Sequence, residues 1–71
     1  MHSSYKEIYG KNIKKLRGKA KLTQAEVARK AGIKTNYFAV IERGEVSTSP
    51  DNLLKISRAL GVDISEIMKT K

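Results

Sequence analysis

The stretch Thr23-Gln-Ala-Glu-Val-Ala-Arg-Lys-Ala-Gly-Ile-Lys-Thr-Asn-Tyr-Phe-Ala-Val-Ile-Glu-Arg-Gly44 decides the fold. It predicts two short helices, over residues 24–31 and 35–43, on either side of Gly32. Helices that cross so closely need a small residue where they touch, and Ala28 supplies it. They also need a left-handed backbone at the turn, which glycine adopts without a Cβ penalty.

The apolar residues of this stretch close a small core between the two helices; they are Val27, Ile33, Phe38 and Ile41. Two short helices joined by a tight turn form a helix-turn-helix, whose second helix enters the major groove of duplex DNA. The stretch therefore predicts a helix-turn-helix with residues 35–43 as its second helix.

Three further helices are predicted, over residues 5–17, 50–60 and 64–69, because apolar side chains recur there at steps of three and four. The inward-facing residues of these helices are Tyr5, Ile8, Tyr9, Ile13, Leu16, Ala20, Leu53, Ile56, Ser57, Leu60, Ile64, Ile67 and Met68. No stretch has the alternation of a strand. We expect a compact all-α domain of five helices over residues 5–69, preceded by a flexible tail over residues 1–4.

Helix starts and stops are marked by capping residues. Three starts carry Ser, Thr or Asp with a glutamate three residues later, the spacing of a capping box, at Ser4–Glu7, Thr23–Glu26 and Asp63–Glu66. A fourth start is Ser49 followed by Pro50. The first helix is expected to stop at Gly18 or at the run over residues 19–21, and the later helices at glycines.

Positive charge is concentrated in one half of the chain. Residues 1–34 carry ten Lys and Arg and two acidic residues, whereas residues 35–71 carry five of each, so the net charge of +8 lies in the first half. A basic half on a folded domain indicates a polyanionic partner. A solvated, lysine-rich surface explains the charge equally well, so charge alone leaves both readings open.

Several classes of protein are disfavoured. The chain has no cysteine, no apolar run long enough to span a membrane and no signal peptide, which together favour a cytoplasmic protein. We find no nucleophile–base pair, no glycine-rich phosphate loop and no cluster of metal ligands. No enzymatic activity, cofactor, metal, small-molecule ligand or membrane contact is therefore expected.

Residues spread along the chain share their types and spacing with a known family. They are Gln24, Ala28, Gly32, Ile33, Ile41, Glu42, Gly44, Leu53, Leu60, Gly61 and Val62. With this pattern the chain resembles the phage-repressor and Cro-type helix-turn-helix family, from about Ile8 to Met68. The resemblance implies a lambda-repressor-like fold and a sequence-specific regulator of transcription. Such a protein is expected to be a repressor of transcription that binds double-stranded DNA. It is expected to read the major groove with the helix at about 35–43.

The resemblance also implies roles for individual side chains. Those expected to reach base edges are Lys34, Thr35, Asn36 and Val40. Those expected to touch DNA phosphates are Gln24, Tyr37 and Arg43. Arg17 and Glu42 match a pair that forms an internal salt bridge. The chemistry of the residues agrees, because an asparagine amide can pair with adenine and a helix N-terminus attracts phosphate.

Three points stay open in the sequence. Lys34 cannot cap the second helix, so either Thr35 takes over as the cap or the helix start is uncapped. Asn36 reads a base, or else it hydrogen-bonds the local backbone. Tyr37 packs against its neighbours, contacts phosphate, or does both.

One helix reads only a few base pairs, so we expect a homodimer on a two-fold DNA site. The last helix is the predicted interface, through Ile64, Ile67 and Met68. The alternative is a protein-interaction module of the same fold, such as an antitoxin, a restriction-modification control protein or a coactivator bridge. The polar and basic residues of the second helix favour DNA over that alternative.

Overall fold

The computed structural model describes residues 4–70 and places them in five α-helices joined by short connections. These are α1 (Tyr5–Ala20), α2 (Gln24–Ala31), α3 (Thr35–Glu42), α4 (Pro50–Leu60) and α5 (Ile64–Met68). No strand occurs within residues 4–70, so the predicted all-α fold of five helices is confirmed. Most of the predicted tail lies outside the described residues, and Ser4 is the N-cap of α1.

The bounds of the helices agree closely with the prediction. Helices α2 and α4 begin and end where the sequence predicts. Helix α1 runs through Gly18 to Ala20 and stops at Lys21, whose backbone is left-handed with φ 58° and ψ 40°. Helices α3 and α5 each end one residue early, at Glu42 and Met68, a difference within the usual fraying of helix ends.

The capping boxes predicted at α1 and α2 are present, and the one predicted at α5 is wrong. At α2 the Glu26 N–H donates to Thr23 Oγ1 at 3.1 Å, and the Thr23 N–H donates to the Glu26 carboxylate at 2.8 Å. At α5 the Asp63 carboxylate accepts from the N–H two residues on, at 2.9 Å. Glu66 does not complete that box, and its carboxylate accepts from the Lys69 ammonium at 3.2 Å.

The other two starts also have side-chain partners. At α1 the Ser4 N–H donates to the Glu7 carboxylate at 3.0 Å, while the Glu7 N–H donates to the Ser4 carbonyl oxygen. At α4 the Ser49 hydroxyl accepts from the Asn52 N–H at 3.1 Å, as the Ser-Pro start predicts. These caps supply partners for N–H groups that a helix leaves unpaired at its first turn.

The core lies among the five helices, with α2 packed on α3 and α4, and α1 packed on α3 and α5. Its fully enclosed apolar side chains are Ile13, Val27, Ala28, Phe38, Ile56 and Ile67. The predicted apolar stripe of α1 enters this core only in part: Ile13 is buried, but Tyr5 is 67% exposed and Ala20 is also exposed. Within the described residues no helix has the length and hydropathy needed to cross a membrane.

Candidate nucleic-acid interface

The turn between α2 and α3 has the geometry that the sequence predicts. Gly32 has φ 72° and ψ 31°, and the Ile33 N–H donates to the Ala28 carbonyl oxygen at 3.0 Å. Ala28 has no exposed surface, in agreement with a close crossing of the two helices. The helix-turn-helix over residues 24–42 is therefore confirmed.

One face of α3 is buried and the other is open. Phe38 and Ile41 enter the core and are at most 3% exposed. Of the residues predicted to read bases, three are exposed and one is half-buried: Lys34, Thr35 and Asn36 are exposed, and Val40 is half-buried. The core thus fixes the orientation of α3 and leaves its first turn at the surface.

The first turn of α3 has no side-chain cap. Lys34 is the N-cap, with φ −71° and ψ 143°, and its side chain makes no capping hydrogen bond. The Phe38 N–H donates to the Lys34 carbonyl oxygen at 2.9 Å. Thr35 is the first helical residue, so it does not take over the cap. The start is the uncapped alternative, and its first N–H groups can donate to a ligand.

A buried carboxylate joins α1, α2 and α3. Glu42 Oε2 accepts from Arg17 Nε at 2.6 Å, and Oε1 accepts from Arg17 Nη2 at 3.1 Å and from Gln24 Nε2 at 2.8 Å. Arg17 Nη1 also donates to the Leu22 carbonyl oxygen at 2.9 Å. The salt bridge predicted between Arg17 and Glu42 is present, and the Glu42 side chain is 3% exposed.

The surroundings of Glu42 favour its charged form. Burial raises the pKa of Glu42, but the hydrogen bonds from Arg17 and Gln24 and the positive charges of Arg17 and Lys14 together lower it by more, so the pKa lies below its ordinary value. The hydrogen bond to Glu42 raises the pKa of Arg17. Because both carboxylate oxygens have donors, this charged group holds the three helices together.

The contact between Gln24 and Glu42 was not predicted. Gln24 is the first residue of α2, where the sequence predicts a phosphate contact. Its Nε2 donates one hydrogen to Glu42, and an amide nitrogen carries a second hydrogen. The contact therefore fixes the orientation of the amide at the N-terminus of α2 and still leaves one donor.

Tyr37 is tied to the start of α4. Its hydroxyl lies 2.7 Å from Thr48 Oγ1, which also accepts from Asn52 Nδ2 at 3.0 Å. Tyr37 thus packs against its neighbours, and its contact with phosphate stays a prediction. Sequence reasoning missed Thr48 and Asn52, whose only local signal is their position beside the Ser49-Pro50 helix start.

Arg43 was also predicted to contact a phosphate, and it forms an ion pair within the chain. Its Nε donates to Glu45 Oε2 at 2.9 Å, and its Nη2 donates to Glu45 Oε1 at 3.3 Å. The pairing raises the pKa of Arg43 and lowers the pKa of Glu45. Both side chains are more than half exposed, at 56% and 54%. Sequence reasoning did not foresee this pair.

The predicted dimer interface on α5 needs one correction. Ile67 has no exposed surface because it lies in the core, so it cannot contact a second copy. Met68 is 44% exposed and Ile64 is half-buried, so these two remain available. Asn12, which the sequence did not single out, donates through Nδ2 to the carbonyl oxygens of Ile67 and Lys69, each at 2.7 Å. These bonds fasten the end of α5 to α1.

Proteins of known class are similar to this chain in sequence. An immunity repressor protein from Bacillus phage phi105 is 39% identical over 59 residues, which cover 83% of this chain and 41% of that repressor. This chain thus spans less than half of the repressor's length. Control protein C.BamHI from Bacillus amyloliquefaciens is 30% identical over 69 residues, covering 96% of this chain and 85% of that protein.

Solved structures and a family model agree with these relatives. The solution structure of the DNA-binding domain of the P22 C2 repressor has a TM-score of 0.85 and 27% identity, covering 99% of this chain and 88% of that domain. The lambda-repressor-like fold is therefore confirmed. The model of the Helix-turn-helix family matches residues 13–67. The chain belongs to the helix-turn-helix family, whose members matched here include a phage repressor and a control protein.

Proposed function

We propose that this chain binds double-stranded DNA in a sequence-specific manner and represses transcription, with α3 as the recognition helix in the major groove. One observation carries the proposal: α3 is anchored by Phe38 and Ile41 on one face and is open and uncapped on its first turn. A rigid helix with an exposed polar first turn is what readout of base edges requires.

The proposed base-reading residues are those of the open face. The Asn36 amide pairs with adenine N6 and N7, the Lys34 ammonium donates to guanine O6 or N7, and the Thr35 hydroxyl bonds several bases. Val40 is half-buried and packs on a thymine methyl group. These four positions would set which sequence is bound.

The proposed phosphate contacts position the protein on the duplex. Gln24 offers its second amide hydrogen together with the N–H groups at the N-terminus of α2. Tyr37 and Arg43 lie along α3 and at its C-cap. The excess positive charge of residues 1–34 adds attraction that does not depend on sequence.

The proposed partners are duplex DNA and a second copy of this chain. A homodimer on a two-fold site would double the number of base pairs read, and the half-buried Ile64 and the exposed Met68 are the apolar residues of α5 that would meet across it. We place this activity in the cytoplasm and propose no catalytic step for it.

The second candidate is a protein-interaction module of the same fold, and the relative C.BamHI is named a control protein without a stated binding partner. The exposed side chains of the α3 first turn are cationic or hydrogen-bonding, as DNA readout requires. They favour the DNA-binding reading over this one.

Selection of binding sites from random duplex DNA tests the proposal. We expect enrichment of a short motif with two-fold symmetry, and affinity that falls with a log–log salt slope of about −4 to −5 per subunit if roughly five phosphates are neutralised. The Thr35→Ala, Asn36→Ala double variant should keep the salt-dependent binding and lose the motif. If no motif is enriched and the affinity does not depend on salt, the DNA-binding proposal is wrong and the protein-contact candidate is favoured.

A further inference from the structure

Building on the proposed function, we propose that Glu45 weakens DNA binding by occupying Arg43, the C-cap residue of the recognition helix. Arg43 is one of three residues offered to phosphates at this interface. The structure pairs its guanidinium with the Glu45 carboxylate through two hydrogen bonds. Glu45 would thus act as a competitor for phosphate that is built into the chain.

The backbone at the end of α3 holds the two side chains near each other. The Glu45 N–H donates to the Val40 carbonyl oxygen, and the Gly44 N–H donates to the Ile41 carbonyl oxygen, each at 3.0 Å. This pair of bonds is a Schellman motif, which closes a helix and fixes the two residues after its cap. Glu45 is therefore held next to Arg43 by the helix itself, and only rotation about side-chain bonds separates them.

The pairing uses the edge of the guanidinium that a phosphate would use. Two parallel N–H···O bonds, from Nε and Nη2, form the bidentate arrangement that arginine also offers to phosphate oxygens. A DNA phosphate must either displace the Glu45 carboxylate or bind the remaining Nη1 edge beside a negative charge. Both routes make the Arg43 contact weaker than that of an unpaired arginine.

Because the pair of Arg43 and Glu45 lies at the surface, it weakens the contact of Arg43 with DNA but does not prevent it. Both side chains are more than half exposed, and exposed ion pairs are weak and open readily. The other carboxylate at this end, that of Glu42, is already satisfied by Arg17 and Gln24. Glu45 is therefore the acidic group that lowers the charge which Arg43 presents to the duplex.

The expected effect is small and independent of sequence. From the strength of exposed ion pairs, removal of the Glu45 charge should tighten binding by about two- to fivefold per bound subunit. Because Arg43 would then neutralise its phosphate without a competing carboxylate, the log–log salt slope should steepen by at most about 0.9 per subunit. The preferred base sequence should not change, because phosphate contacts position the protein and do not specify the site.

The test compares Glu45→Gln with the wild type on one specific and one unrelated duplex over a range of salt concentrations. Glu66→Gln is the matched control. It also removes one negative charge and one exposed ion pair, that of Glu66 in α5 with Lys69. Arg43→Ala and the Arg43→Ala, Glu45→Gln double variant complete a mutant cycle. We expect tighter binding and a steeper slope for Glu45→Gln on both duplexes, and little effect of Glu45→Gln once Arg43 is absent.

Each contrary outcome has a distinct meaning. If the wild type binds duplex DNA but Glu45→Gln binds with the same affinity, the inference is wrong and the proposed function stands. An equal gain for Glu66→Gln, or an undiminished gain in the Arg43→Ala background, would show a general effect of net charge and would also overturn the inference. If neither the wild type nor Glu45→Gln binds duplex DNA, the proposed function and the inference both fail.

Discussion

Gly10 in α1 lies directly against the C-terminal end of α3, so that a Cβ on Gly10 would stand 2.6 Å from the carbonyl oxygen of Glu42. It would also stand 2.7 Å from the carbonyl oxygen of Ile41. This close approach holds α1 beside α3, and Arg17, about two turns further along α1, reaches the Glu42 carboxylate from the same side.

Gly10→Ala is therefore expected to destabilise the fold. In an exposed helix interior, glycine to alanine raises stability by about 1 kcal/mol. Here the added methyl group would collide with backbone, and overpacking of this kind costs about 1–3 kcal/mol. Gly18→Ala is the matched control, because a Cβ there meets no atom within 4 Å, and it should stabilise. Urea unfolding that ranks the two variants equally would contradict the close contact.

Lys21→Gly is expected to stabilise the fold. Lys21 ends α1 in the left-handed conformation, with φ 58°, which costs a residue with a Cβ about 1 kcal/mol relative to glycine. Lys15→Gly, in the exposed interior of α1, removes the same charge and should instead lose about 1 kcal/mol. Thermal unfolding measures both changes. A melting temperature that falls for Lys21→Gly would show that this conformation carries no strain.

The bounds of α2 and α4 could be predicted because each has a capping side chain at its start and a glycine just after its end. The end of α1 could not be fixed, because Gly18 continues the helix and a lysine stops it. A left-handed lysine has no local sequence signal. Its conformation follows from the chain reversal that brings Leu22 to the Arg17 guanidinium.

The candidate site could be predicted where a residue type carries the chemistry, as for Thr35 and Asn36 at the open end of α3. Contacts between distant segments could not. Asn12 donates to the carbonyl oxygen of Ile67, 55 residues away in sequence, and neither residue type indicates this contact. The misplacement of Ile67 has a related cause, since three apolar residues in a five-residue helix do not show which of them faces the core.

Glu42 is expected to make stability depend on pH. Because its pKa is lowered in the fold, its contribution is complete above the unfolded pKa and is lost as the pH falls through the folded pKa. Glu42→Gln should be about 3 kcal/mol less stable at neutral pH, because it breaks a buried ion pair. The wild type should then lose more stability than Glu42→Gln on acidification.

Urea unfolding at a series of pH values from about 7 to about 3 measures this difference. Glu45→Gln is the control, since it removes an exposed carboxylate and should follow the wild type more closely than Glu42→Gln does. Parallel curves for the wild type and Glu42→Gln would show that the Glu42 pKa is not lowered in the fold.

Two neighbouring residues of α5 should respond differently to a charge. Met68→Asp places a carboxylate at an exposed apolar position and should shift the proposed dimer towards monomer without loss of helicity. Ile67→Asp should instead unfold the protein, because it buries a charge without a partner. Sedimentation and circular dichroism separate the two results. Tyr5→Asp, at the exposed start of α1, should change neither the oligomeric state nor the helicity.

A wild-type protein that is monomeric both alone and on DNA would contradict the proposed dimer. So would Met68→Asp if it sedimented like the wild type. If Ile67→Asp kept its helicity, the Ile67 side chain would not lie in the core.

Asn36 allows the sharpest test of base reading. It is exposed in the first turn of α3, whose N-cap is Lys34, and within residues 4–70 the structure gives its side chain no hydrogen bond. It therefore makes no hydrogen bond that would explain a role in stability, which favours base reading over a bond to the local backbone.

Asn36→Ala should leave the melting temperature nearly unchanged. It should weaken specific binding by about 1–3 kcal/mol, because one bidentate contact with adenine is lost, and relax the preference at one base pair per half-site. Thr23→Ala is the matched contrast, since Thr23 caps α2 and its loss should cost about 1 kcal/mol of stability while the selected sequence stays the same. Site selection and thermal unfolding on both variants separate the roles. A melting temperature that falls for Asn36→Ala while the selected sequence is unchanged would show that Asn36 stabilises the helix and does not read DNA.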